Sequence, residues 1–175
     1  MKKILSLRHW QLFILIIVFG AWVSPSPLQE ICNGIAFLTF IAWVYSISFY
    51  GKEKIIFFDE TGMNFNSFRI HVFVILISVI VSKIFPAFFR TINTETFGIS
   101  DLLLLLLGLY IFYSIFQVIV FTGKMITMLI EKRKVSFGDY FPNLILICFL
   151  FVGIWILQPK LNKIFSDSEN SSSLV

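Results

Sequence analysis

Between Asp101 and Gly123 the chain reads LLLLLLGLYIFYSIFQVIVFT, residues 102–122, without one charged side chain. A helix rising 1.5 Å per residue needs about 20 residues to cross a hydrocarbon core about 30 Å thick, and this stretch meets that length. In water such a segment would need cover on every side; in lipid it needs none. Four more apolar stretches flank it, at 10–23, 27–50 and 70–89 before it and at 141–157 after it. The composition agrees: 58% of residues are hydrophobic and only 14% are charged, too few to cover a water-soluble surface. The pattern predicts an all-α integral membrane protein, a bundle of about five transmembrane helices with short loops. Residues 1–165 form a single transmembrane domain in this reading, and the Ser-rich stretch 166–175 forms a disordered polar tail.

Local signals place the ends of these helices. Ser26 with Gln29 three residues later fits a capping box, and Pro27 suits a first helical position. Ser100 or Asp101 can cap the fourth span, Asp139 with Pro142 can open the fifth, and Pro86 is expected to kink the third. Residues 123–134 keep helical character and extend the fourth span toward the basic cluster Lys132-Arg133-Lys134. The loop 51–69, with Asp59-Glu60-Thr61-Gly62 at its centre, reads as a short β-hairpin or an interfacial segment. Glycines, mainly at 20, 34, 108 and 153, are few, and large side chains are expected to hold the bundle.

The first stretch is the shortest, uninterrupted only over residues 12–23, and two readings of it stay open. It is either a retained span or a signal peptide led by Lys2-Lys3, although Trp22 and Pro27 fit a cleavage site poorly. Charge separates the two. With five spans and a cytoplasmic N-terminus, the inner side holds ten cations: Lys2, Lys3, Arg8, Lys52, Lys54, Arg69, Lys124, Lys132, Arg133 and Lys134. Lys83, Arg90, Lys160 and Lys163 make four on the outer side, so the positive-inside bias is satisfied. If the first stretch did not cross, seven of the ten would lie outside.

Catalysis needs convergent titratable groups, and the spans hold few. Glu30 and Asp101 sit at helix starts, the remaining acids fall in loops or the tail, and His9 and His71 lie on different segments. Asp59, Glu60 and His71 read as a solvated loop and an interfacial histidine, so the expectation is no enzyme, no catalytic residue and no cofactor site. Cys32 and Cys148 lie within apolar runs as free thiols, and two cysteines make no metal site. Lys83 is the charge well inside a span, close enough to its outer end for the stem to snorkel. Asn33 and Gln117 read as interhelical hydrogen-bonding groups that fix register.

Two further stretches carry a resemblance. Leu7-Arg8-His9-Trp10-Gln11-Leu12-Phe13 near the start, and Gly153-Ile154-Trp155-Ile156-Leu157-Gln158-Pro159-Lys160-Leu161-Asn162-Lys163 near the end, resemble a group of small, uncharacterised bacterial multi-helix inner-membrane proteins. Those proteins end in a similar GIWxxQPxxNK motif. The resemblance implies a bacterial inner membrane and carries over no functional residues.

The net charge of +4 flanks apolar runs, so its partners are membrane lipids, and other membrane proteins, with no nucleic acid. The function expected is a non-catalytic polytopic integral membrane protein, an accessory or assembly subunit of a membrane complex. A small transporter or channel subunit and a lipid-acting membrane enzyme stand as alternatives. The lack of a mid-span carboxylate argues against proton-coupled transport.

Overall fold

A computed structural model of the chain describes residues 2–21, 27–55, 62–84 and 98–172. Every regular element among them is helical: α1 Lys2–Leu5, α2 His9–Ala21, α3 Pro27–Lys54, α4 Phe65–Ile84, α5 Ile99–Glu131, α6 Phe137–Cys148 and α7 Leu150–Ser172. Three are long and apolar enough to cross a membrane, namely Pro27–Lys54, Phe65–Ile84 and Asp101–Glu131. The described residues are thus all-helical, with three helices of spanning length and apolarity where the sequence reading expects five spans.

The helix starts follow their capping groups. Helix α3 opens on Pro27. Asn64 accepts from the backbone N–H of Asn66 and Ser67 at 2.9 and 3.2 Å, which starts α4 five residues before the predicted boundary. Asp101 caps α5 from inside its first turn by accepting from the Gly98 N–H at 2.8 Å. Ser136 and Asp139 open α6 as a reciprocal capping box. Gln11 accepts from the Arg8 N–H at 2.9 Å and starts α2, whose middle, Ile14–Val18, is wound as a π-helix. Helix α5 does continue beyond residue 122 to Glu131, where Lys132 takes a left-handed conformation (φ 53°) and stops it. Pro86, the turn at 59–61 and Ser26 lie outside the described residues. The backbone of α7 is helical through Ser172, past the point where the polar tail was expected to begin.

The predicted span at 141–157 differs most. It is not one helix: Phe149 (φ −95°, ψ 63°) separates α6 from α7. A Cβ on Gly153 would collide with the Leu146 carbonyl oxygen and stand 3.4 Å from the Leu146 Cα. In a continuous helix those two residues would be separated by about 10 Å along the axis. The chain therefore reverses at Phe149, and α6 and α7 form a hairpin.

The molecule divides into two compact units. One comprises Met1–Met63 and Ile119–Val175. Here α2 runs against α3, with Gly20 beside Ala36, and Gly51 of α3 faces Met125 and Leu129 of α5. Gly123 lies against the Leu144 backbone of α6. Leu5, Leu12, Trp43, Ile47, Met125, Ile126, Ile147, Ile154, Leu157 and Leu161 fill its core. Close approach thus relies on glycine at 51, 123 and 153 as well as on large side chains, whereas Gly34 and Gly108 meet nothing. The other unit, Asn64–Val118, holds α4 and the first part of α5. Phe68, Val72 and Ile75 bury one stripe of α4, while Ile70, Phe73, Ile77 and Ile80 are exposed on the rest of it.

Candidate functional site

The polar centre of the larger unit forms where the backbone leaves helical geometry. Between α1 and α2 the chain turns at residues 6–8, so the Leu5 and Leu7 carbonyls need donors other than those of a continuing helix. Gln158 of α7, fully buried, supplies them. Its two Nε2 hydrogens are shared among the Leu5 oxygen at 3.2 Å, the Leu7 oxygen at 3.0 Å and Oδ1 of Asn162 at 2.9 Å. Asn162 Nδ2 donates to the same Leu7 oxygen at 3.1 Å. On the opposite side Gln158 Oε1 accepts from the indole Nε1 of fully buried Trp43 at 2.8 Å. Indole is a donor only, so this contact settles which end of the amide is oxygen.

Aromatic rings extend the same junction. His9 packs on Trp155 with centroids 4.6 Å apart, and Phe13 meets Trp155 at 5.8 Å and Phe151 at 5.4 Å. Ascending positions 9 and 13 of α2 thus meet descending positions 155 and 151 of α7, and the two helices run antiparallel. Lys54, at the end of α3, donates from Nζ to the Ile164 oxygen at 2.5 Å and stands 4.6 Å from the Phe165 ring centroid. A second relay joins α6 to α5: Asn143 Nδ2 donates to Thr127 Oγ1 at 2.8 Å, which donates to the Gly123 oxygen at 2.9 Å. Ser48 Oγ is buried without a hydrogen-bond partner.

Two other clusters hold titratable groups. At the start of α6, Arg133 reaches both oxygens of Asp139, at 3.2 and 3.1 Å, and pairs with Glu131 at 2.6 Å. The Arg133 guanidinium, with the Ser136 N–H and hydroxyl, holds the Asp139 carboxyl down at about 2, against 3.8 ordinarily. The group is exposed and serves as a helix cap. In the smaller unit, Ser114 Oγ donates to the Tyr110 oxygen at 2.9 Å and lies 3.1 Å from His71 Nδ1. The direction of the His71–Ser114 contact follows the imidazole tautomer, and the Ser114 bond to the Tyr110 carbonyl is a bond within its own helix. The Tyr110 and Tyr113 rings pack on the same imidazole, at 6.3 and 5.5 Å.

The residues singled out from sequence are scattered. Asp59 and Glu60 lie outside the described residues. Asn33 is exposed and Gln117 half-buried on separate helices, and Lys83 is exposed in the last turn of α4. Cys32 and Cys148 are free thiols, with Cys148 exposed at the end of α6. The register-setting role expected of Asn33 and Gln117 is filled in the larger unit by Gln158, Asn162, Asn143 and Trp43. One signal was available: Gln158 and Asn162 belong to the closing motif, Leu7 to the opening one, and the two motifs meet here. Comparison with known proteins returns no matching family model, no similar curated protein and no similar solved structure.

Proposed function

We propose that this chain is a non-catalytic integral membrane protein of a bacterial inner membrane, an accessory or assembly subunit of a larger membrane complex, with its N-terminal end in the cytoplasm. The observation that carries the reading is the engagement of Gln158. Its amide oxygen accepts from Trp43 and its amide nitrogen serves Leu5, Leu7 and Asn162, which joins three segments of the chain. The largest fully buried polar side chain among the described residues therefore serves architecture. The exposed apolar faces support membrane embedding, since Leu103, Leu109, Phe112 and Phe116 of α5 all face outward. The cationic excess of the inner segments supports the orientation. Five crossings would need 141–157 to run as one helix, and the reversal at Phe149 speaks against that crossing.

The test is photo-crosslinking in living membranes from single positions on α5. A crosslinker at Leu109, Phe112 or Phe116 is expected to give one discrete protein adduct from a subset of positions, and none from buried Met125. Lipid adducts alone at every position, together with solute flux in vesicles containing only this chain, would replace this reading with the transporter one.

A further inference from the structure

We infer that residues 137–165 enter the membrane and return to the face they came from, so that 158–165 lie on the same side as 5–8 and 52–54. The inference rests on the integral-membrane reading and adds to it a re-entrant hairpin in place of a crossing at 141–157.

Three observations within the larger unit carry it. The first is the reversal at Phe149, where Leu146 and Gly153 come into contact. Helix α6 has 12 residues and is about 18 Å long, enough to reach the middle of a hydrocarbon core and too short to cross it.

The second is the set of ties between chain segments. Gln158 and Asn162 bond the Leu5 and Leu7 carbonyls just before α2, and Lys54 at the end of α3 bonds Ile164. Helix α2 leaves that level, α3 regains it at Trp43, which bonds Gln158, and continues in the same direction to Lys54, so residues 5–8 and 54 lie toward the same end of the unit. Direct hydrogen bonds then place 158–164 at the same face. A crossing at 141–157 would put them on the opposite face, about 30 Å away.

The third is how polarity runs along the hairpin. Its open end carries exposed Lys132, Arg133 and Lys134 beside α6 and exposed Lys160 and Lys163 on α7. Its turn carries Phe149, Phe151 and Val152, exposed and uncharged. Apolar groups at the tip and cations at the base match a hairpin dipped into lipid from one side. Charge bias improves as well. With Lys160 and Lys163 moved inward, twelve cations lie on the inner side, and Lys83 and Arg90 remain outside.

The experiment is thiol accessibility in a full-length chain carrying Cys32→Ser and Cys148→Ser. Lys134→Cys, Lys163→Cys and, as an outer reference, Arg90→Cys are each treated with a membrane-impermeant maleimide in spheroplasts and in permeabilised membranes. Lys134→Cys and Lys163→Cys are expected to react only after permeabilisation, and Arg90→Cys in both preparations. Labelling of Lys163→Cys in spheroplasts that protect Lys134→Cys would overturn the hairpin and restore a fifth crossing. Carbonate extraction of the same membranes separates the two proposals, since release of the chain would defeat the integral-membrane reading itself. A second variant guards against misfolding: Phe13→Cys with Phe151→Cys, whose parent rings touch, should be joined by a short bifunctional maleimide in membranes. Absence of that link, in a chain that resists carbonate, would overturn the α2–α7 arrangement on which the inference stands.

Discussion

In the unit made of Met1–Met63 and Ile119–Val175, Gly123 and Gly153 meet backbone and Gly51 meets side-chain atoms, and Gln158, Thr127, Thr122, Ser46 and Ser48 are buried. In Asn64–Val118, Gly108 faces open space and Ser114 is the buried polar side chain among the described residues. The smaller unit is the richer in large apolar residues. Lipid tails are as apolar as leucine, so burial of Leu or Phe adds little to helix association in a membrane. What distinguishes a packed unit from a lipid-exposed one is therefore small residues at crossings and polar groups that satisfy one another. The larger unit has both; the smaller one has a single stripe and one hydroxyl–imidazole contact.

That contrast can be broken most directly at the glycines. Gly153→Val places atoms into the Leu146 carbonyl, which is backbone and cannot rotate away. A loss of at least about 3 kcal/mol is expected, read as a lowered melting temperature of the purified protein in detergent. Gly108→Ala, with nothing within 4 Å, should be neutral or stabilising by up to about 1 kcal/mol. Equal effects at the two positions would remove the distinction between the units.

The second comparison uses the two amides. Gln158→Leu leaves the Trp43 indole and the Leu5 carbonyl without the partner seen here, at a cost of about 2 kcal/mol in the same melting assay. Gln117→Leu on half-buried α5 should change it by less than about 0.5 kcal/mol.

A third change should act with the opposite sign. Lys132 holds φ 53° where α5 ends, a conformation that costs a non-glycine residue about 1 kcal/mol. Lys132→Gly is therefore expected to raise stability by a fraction of that amount, and a clear drop would show that the side chain itself holds the turn.

The smallest effect expected is electrostatic. The Asp139 carboxyl lies at about 2 in the folded chain and 3.8 as its ordinary value, so its stabilisation is complete above 3.8 and is lost as pH falls through about 2. Asp139→Asn should melt slightly below the wild type at pH 6, and the two should converge toward pH 2. Added salt should narrow the gap at pH 6, because the pair is exposed.

Much of the fold was legible in the residues. Apolar run length located α3, α4 and α5, and Asp101, Asp139 and Pro27 marked the starts assigned to them. The extension of α5 to Glu131 was readable too, although its burial was not: Met125, Ile126 and Met128 are the most enclosed part of that helix. Length and hydropathy measure compatibility with lipid, and they cannot see a neighbour. For the same reason 141–157 read as a span. Its apolar content suits a crossing, and only the contact between Leu146 and Gly153 reveals a reversal. The Gln158 centre was half-visible, as a motif without a role. Its partners are backbone carbonyls of Leu5 and Leu7, which leave no trace in residue identity.

The Leu5 and Leu7 carbonyls are separated from the Gln158 side chain that satisfies them by 153 and 151 positions. At about 5–20 residues per second of synthesis, the first segment emerges and then waits roughly 8–30 s for its partner. During that interval α2 and α3 are already present, while the Trp43 indole and both carbonyls still lack Gln158. A chain stalled before residue 158 would be held in this state, open at residues 5–8. Synthesis of α7 and closure of that turn are thus one event, and a protease acting at residues 5–8 would tell chains made before residue 158 from chains made after it.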